Sequence, residues 1–299
     1  MKKVIAICVI IFTLAACSGE TALSAGGGGN ETISVGRNHT VALRSDGTVA
    51  AAGSNSHGQL NVSGWRDIIE VTAGRDHTVG LRSDGTVVAV GCNDFDQLDV
   101  AEWRDVVSIS AGEHHTAGML RNGTVVAVGR NYQGQTETDN WRNIVEIEAG
   151  RGHTVGLLSN NRVFVVGDNR SGQRNAGGWQ DTVSVAAGWY HTVGLRRDGT
   201  VVAVGENIFG QLDTGDWQDI VAIAAGGRYT IGLRSDGRVV LTGASSSGQL
   251  NVSGWRDIVA VAVSAEHVVG LRSDGTVIAA GDNSYGQIDI SNWQDIRLP

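Results

Sequence analysis

The chain has 299 residues, ample for a well-buried core, with 43 glycines and a single proline at its last position. Many tight turns without proline-rich linkers suit an all-β protein. Its formal charge is −8, and the two lysines, Lys2 and Lys3, stand at the start. Setting them aside leaves 21 basic against 31 acidic residues, a net of −10, which argues against a nucleic-acid partner.

Residues 1–16 read as an address. Lys2 and Lys3 precede an apolar run, Val4 to Ala16, too short to span a bilayer comfortably, and it ends Leu14-Ala15-Ala16-Cys17. This leader resembles bacterial lipoprotein signal peptides, and the resemblance implies that Cys17 is lipidated and becomes the first residue after cleavage. Acyl chains at about 0.8 kcal/mol per buried CH₂ would then hold the protein to a membrane. Residues 17–30, with Gly26 to Gly29, are expected to form a flexible tether. The body is expected outside the cytoplasm, anchored at the outer membrane or the outer face of the cytoplasmic membrane. Ser18, where an aspartate would signal inner-membrane retention, allows the former. With Cys8 in the leader and Cys17 acylated, Cys92 has no partner for an intramolecular disulfide.

From residue 31 the chain repeats. Tryptophan recurs every 38 residues at 65, 103, 141, 179, 217, 255 and 293, and the Gly53 and Gln59 columns keep the same period. Such a period marks stacked or radial repeats. In the second copy Ile69 to Ala73, His77 to Arg82 and Thr86 to Val90 read as strands, with a weaker fourth at Gln97 to Val100. The Asp84-Gly85 pair signals a hairpin, read as a type I′ turn with positive φ at both residues. Four antiparallel strands per 38 residues, seven times over, predict a seven-bladed β-propeller over 31–299. The first copy lacks a Trp-Arg-Asp-Ile segment, and the chain ends with Trp293-Gln294-Asp295-Ile296. The tail is therefore expected to enter the first blade and close the ring.

Stretches such as Gly36-Arg37-Asn38-His39-Thr40-Val41-Ala42-Leu43, Asp46-Gly47-Thr48-Val49 and Gly53-Ser54-Asn55-Ser56-His57-Gly58-Gln59-Leu60 resemble the regulator of chromosome condensation repeat. The resemblance spans 31–299 and implies a seven-bladed propeller. It does not fix a function, because the family includes exchange factors, photoreceptors, ligase modules and inhibitors.

The residues themselves offer little for catalysis. His39, His77, His115, His153, His191 and His267, with Tyr229 in the remaining copy, sit one per repeat. Neighbours in different blades are too far apart to share one tetrahedral ion, so a structural hydrogen-bonding role is expected, with no metal and no cofactor. The tryptophan column reads as blade packing. Light sensing is disfavoured because Trp189 alone occupies its loop position. No Gly-x-Ser-x-Gly, His-Glu-x-x-His or phosphate loop occurs. The family's nuclear exchange activity is associated with an insertion that this chain lacks. An enzyme is not expected.

Variation between copies is more informative. The second loop keeps a Ser-Asp-Gly form, as at residues 45–47, 83–85, 235–237 and 273–275, whereas the first and third loops change in almost every copy. Outside the leader and the tryptophan column there are eight aromatic Phe, Tyr or Trp residues. Six lie in these loops. The expected partner-binding set is Arg37, His57, Arg75, Phe95, His114, Tyr132, Arg151, Trp189, Tyr190, Ile208, Phe209, Arg228 and Tyr285. Aromatics and arginines gathered on one face are what protein interfaces enrich. The expected function is a membrane-anchored, non-catalytic module, monomeric, that binds a protein of the envelope or a secreted one. A carbohydrate- or cell-wall-binding propeller is the alternative, with a β-lactamase-inhibitor-like protein third.

Overall fold

The computed structural model describes residues 31–244 and 251–299. The leader, Cys17 and the tether lie outside the described residues, as does the third loop of the sixth copy. Each repeat forms one antiparallel sheet of three strands in chain order. The sheets are β1 (Ile33–Val35), β2 (His39–Leu43) and β3 (Val49–Gly53); β4 (Ile68–Ala73), β5 (His77–Arg82) and β6 (Val87–Gly91); β7 (Val106–Ala111), β8 (His115–Leu120) and β9 (Val125–Gly129). They continue with β10 (Ile144–Ala149), β11 (His153–Leu158) and β12 (Val163–Gly167); β13 (Thr182–Ala187), β14 (His191–Arg196) and β15 (Val201–Gly205). The last are β16 (Ile220–Gly226), β17 (Tyr229–Arg234) and β18 (Val239–Gly243); β19 (Ile258–Val263), β20 (His267–Arg272) and β21 (Val277–Gly281). The first strand of each sheet lies against the first strand of the next, and β19 lies against β1. This is a seven-bladed propeller with its first strands around the axis.

The expected fourth strand is absent among the described residues, and side chains explain why. In the second blade the Asn93 Oδ1 accepts from the Leu98 N–H at 2.8 Å and the Gln97 Oε1 from the Phe95 N–H at 3.0 Å. Asp96 and Val100 donate backbone bonds within the same loop. These groups are spent locally and cannot form a ladder. The hairpin turn also differs from expectation. Gly47 has φ 77°, but Asp46 is not in the left-handed region. The Gly47 N–H donates to the Arg44 carbonyl at 3.0 Å, so a type I turn precedes a left-handed glycine. Asp46 instead accepts from the Thr48 N–H and hydroxyl at 2.9 and 2.6 Å.

The core lies between blades. Val41 and Leu43 of the first blade pack with Val62, Trp65, Ile68 and Val71 leading into the second, and the pattern recurs. From Trp65 to Trp255 each tryptophan packs its ring against a glycine of the middle strand of the blade it introduces. A Cβ on Gly80 would stand 2.7 Å from the Trp65 ring, so that strand needs glycine there. The tail makes the equivalent contacts on the first blade. Trp293 and Ile296 pack with Ile33 and Ala42. Ile296 forms a bridge with Arg44, and the Arg297 N–H donates to the Leu43 carbonyl at 2.9 Å.

A polar belt links the blades. The His39 ring Nε2 is 3.0 Å from the Thr78 hydroxyl of the next blade, and Thr78 donates to the Gln59 carbonyl at 2.8 Å. Since the hydroxyl proton is committed there, the imidazole must be the Nε2–H donor. His77, His115, His153 and His191 repeat the arrangement. His267 bonds Thr40 at 2.8 Å, joining the last blade to the first. The sixth blade departs from it twice: Tyr229 donates to the Ala244 carbonyl at 2.6 Å, and the threonine it would have met is Val268. Both ends of that link are lost together, so no buried hydroxyl is stranded.

Two inner-strand glutamates act similarly. Glu70 Oε1 accepts from the Ser108 hydroxyl and the Ile109 N–H at 3.0 and 3.1 Å. Glu146 does the same for Ser184 and Val185.

Burial lowers His39, His77 and His153 to about 3, and His115, His191 and His267 to about 4. Burial raises Glu70 and Glu146 to about 8. The six histidines bind fewer protons folded than unfolded between about pH 3 and 6.5, so their stabilising contribution is lost as pH falls through that window. The glutamates contribute stability below about pH 4.5 that is lost as pH rises towards 8. Because the histidines outnumber these acids, the melting temperature should be highest near pH 6 to 7 and fall on either side, more steeply on acidification. A His115→Gln variant should flatten the acid limb, which a pH series of thermal melts checks.

Candidate functional site

The first and third loops of each blade lie together because their backbones bond. The Cys92 N–H donates to the Asp76 carbonyl at 2.9 Å and the Arg130 N–H to that of His114 at 2.8 Å, and the other blades repeat it. The second loops bond instead to the turn after each tryptophan, as from the Ser83 N–H to the Asp67 carbonyl. The two loop sets therefore occupy opposite faces. Asp46, Asp84, Asp198 and Asp274 on the second-loop face are fully exposed, and bonds from the threonine two residues on hold them below the usual carboxylate range.

On the first-loop face, Glu113 holds two arginines from neighbouring blades. Arg75 Nη1 donates to its Oε1 at 2.9 Å and Arg151 Nε to its Oε2 at 2.6 Å. Arg151 lies over the rings of Trp189 and Tyr190, at 5.6 and 5.0 Å from their centroids. Arg228 lies over Trp189 and Phe209, at 5.8 and 4.4 Å. A second group combines Phe95, His114 and Tyr132, with ring centroids 5.0 and 6.1 Å from Phe95. Arg130 covers Phe95 and Tyr132. Burial first, with the charges of Arg75 and Arg130, holds His114 below the ordinary imidazole range against the pull of Glu113.

Nine of the expected residues thus fall into two groups over the second to sixth blades. Ile208, 77% exposed, joins neither but stands beside Phe209. Arg37, His57 and Tyr285 lie apart, on the first and last blades. His57 and Tyr285 bond locally, His57 Nδ1 lying 3.0 Å from Ser56 Oγ and the Tyr285 N–H donating to Gln287, whereas the Arg37 N–H donates to the Arg75 carbonyl of the second blade at 3.2 Å. Glu113 and Arg130, which organise the two groups, are outside the expected set. Both occupy variable loop positions, the one signal that marked them.

The sequence reading also missed the axis. A cavity of about 600 Å³ runs along it, lined by the first strands of all seven blades. Arg37, Arg75, Arg151 and Trp189 stand around the mouth at the first loops, and Glu31 and Glu148 line the wall. Among the described residues no group of three or more His, Cys, Asp or Glu is placed to hold a metal ion. No helix there is long and apolar enough to cross a membrane.

The regulator of chromosome condensation (RCC1) repeat matches seven times, at residues 31–59, 68–97, 106–135, 144–173, 182–211, 220–249 and 258–287. Comparison with curated proteins gives no match. Among solved structures, the CRINKLY WD40 ectodomain of the Arabidopsis thaliana receptor kinase ACR4 superposes with a TM-score of 0.73. It is 22% identical over 87% of this chain and 97% of that one. The ectodomain of the Physcomitrella patens receptor kinase CR4 gives 0.70, at 18% identity over 84% and 73%. Prp20p from Saccharomyces cerevisiae, a structure described with its binding to Gsp1p and histones, gives 0.53 at 18% identity over 88% and 74%. At these identities the likeness is one of fold.

Proposed function

The chain belongs to the regulator of chromosome condensation repeat family, and on that premise we propose that it is a non-catalytic protein-interaction propeller, lipid-anchored at Cys17, that binds through its first- and third-loop face. The observation that carries this reading is the pair of arginine–aromatic groups on that face. Arg151 and Arg228 are already stacked on Trp189, Tyr190 and Phe209, so little side-chain freedom remains to be lost on binding. Aromatic and arginine side chains held in this way are the residue types that dominate interface energies. The fold does not require them, because Trp189, Tyr190 and Phe209 have no counterpart in most other copies. Prp20p, which is described as binding proteins, lends the reading fold-level support.

The partner is to be captured by crosslinking in intact envelopes, then titrated against purified full chain. Trp189→Ala with Tyr190→Ala should weaken binding more than tenfold, at about 2 kcal/mol or more for an interface anchor. Asp274→Ala on the other face should leave it unchanged. Full affinity in the double variant would refute the assigned face, and saturable binding to envelope glycans alone would favour the carbohydrate reading.

Anchoring rests on Leu14-Ala15-Ala16-Cys17. A Cys17→Ser chain should leave the membrane fraction or accumulate with its leader uncleaved. Wild-type fractionation and processing would sink the anchor.

We also infer that the tail closes the ring, which the bonds of Ile296 and Arg297 to the first blade support. Trp293→Ala should cost about 3–5 kcal/mol, a large share of a typical stability of about 5–15 kcal/mol. An unchanged denaturation midpoint would count against closure.

A further inference from the structure

The axial cavity has two unlike walls. At one level around it stand Ser34, Thr72, Ser110 and Glu148 from the first four blades, then Ala186, Ala224 and Ala262 from the last three. Two residues earlier on the same strands the positions are Thr32, Glu70, Ser108, Glu146 and Ser184, followed by Ala222 and Ala260. One side of the channel is thus carboxyl and hydroxyl, and the other is methyl. Repetition of the fold does not explain this asymmetry, since alanine serves at these positions in three blades.

Ser34, Thr72 and Ser110 accept from the Ala73, Ala111 and Ala149 N–H groups of the next blade, but two polar groups of the wall are not used up by the scaffold. Thr32 lines the cavity, is 3% exposed, and its hydroxyl has no hydrogen-bond partner among the described residues. Glu148 Oε2 is met by the Ser110 hydroxyl at a long 3.3 Å. Buried polar atoms are normally paired, and the Thr32 hydroxyl, unpaired in the same cavity wall as Glu31 and Glu148, is a group that a ligand would satisfy.

The carboxyls also disfavour one another's ionisation. Burial raises Glu31 to about 7, and raises Glu148 well above the usual carboxylate range with added repulsion from Glu31, Glu146 and Glu70. A bound cation would relieve that repulsion. The cationic side chains lining the cavity, Arg37, Arg75 and Arg151, stand at the first-loop mouth, and two of them are held by Glu113. A cavity of about 600 Å³ lies within the usual range of about 300–1,000 Å³ for small-molecule sites.

We propose that the axial channel is a binding site for a slender alkylammonium ligand of the polyamine class, its ammonium groups on Glu148 and the neighbouring carboxyl and hydroxyl groups and its methylenes along the alanine wall. Both walls are then used: charge-assisted hydrogen bonds on one side and apolar contact on the other. The site opens at the loop-face mouth, where Arg75, Arg151 and Trp189 also line it, but the proposal does not rest on protein binding there.

The test is calorimetric titration of the full chain with spermidine, beside 1-hexanol as a neutral chain and succinate as an anion. The expected result is saturable one-to-one binding of spermidine alone. Glu148→Gln preserves shape and should weaken it at least tenfold by removing the carboxyl that a bound ammonium would ionise. Ala224→Leu, which fills the channel from the methyl wall, should abolish it, and Asp274→Asn on the exposed second-loop face should not change it. The melting temperature of each variant, read in parallel, identifies any that fails to fold. Should Ala224→Leu prove unstable, Ala262→Val takes its place. No saturable binding overturns the proposal. So does weak multi-site binding that salt abolishes and that survives both channel variants, because that is the response of an acidic surface.

Discussion

Six of the seven junctions between blades depend on one hydrogen-bond relay: imidazole Nε2 to threonine hydroxyl to glutamine carbonyl. The histidine belongs to one blade, the threonine to the next, and the carbonyl to the linker between them. All three are fully or almost fully buried. A buried donor or acceptor left without its partner costs about 1–3 kcal/mol, more than the net gain of a typical hydrogen bond. The relay therefore penalises misalignment more than it rewards formation. It fixes the distance between histidine, threonine and carbonyl wherever it occurs, alongside a 38-residue period without one insertion. A residue added between Gln59 and Thr78 would shift one partner of the relay relative to the other.

The sixth blade shows that the constraint lies in the link and not in the residue types. Tyr229 reaches past the relay position to the Ala244 carbonyl, and the next blade presents Val268, which has neither donor nor acceptor. Replacing both partners by groups of fitting shape is close to neutral, whereas replacing one is not. Tyr229 and Val268 together make that exchange. At His267 a different adjustment appears. Ser264 stands where the preceding blades carry glycine, and its hydroxyl lies 3.1 Å from the Nδ1 that is unpartnered in the other five histidines.

What the sequence disclosed follows from which groups repeat. The histidine, tryptophan, glycine and turn columns recur because each satisfies the same local geometry in every blade, so blade number and the two faces were legible. The apolar alternation at Leu98 and Val100 resembled a strand, but Asn93 and Gln97 capture the backbone donors first, and periodicity does not report that competition. The Asp-Gly turn misled in the same way: only the glycine is left-handed, and the aspartate serves as an acceptor. Glu113 and Arg130 were passed over because their importance arises between blades, 38 residues apart in sequence for Glu113 with Arg75 and Arg151. The channel was invisible for a related reason. Val145-Glu146-Ile147-Glu148 reads as an ordinary half-exposed strand, and only the ring turns its polar side inward.

The separation between scaffold and variable positions has a physical consequence. The relay, the tryptophans and the inter-blade cores fix the backbone at both ends of every loop, so the residues between those ends can change without altering the path of the chain. The carbonyls of Asp76, His114 and Tyr190 illustrate this: each receives an N–H from its own third loop whatever side chain the residue carries. Side chains at these positions then interact across blades, as Arg75, Glu113, Arg151 and Trp189 do. A surface assembled in this way draws on four separate repeats. Its side chains can be exchanged one loop at a time, while the relay beneath it holds the relative positions of the loops.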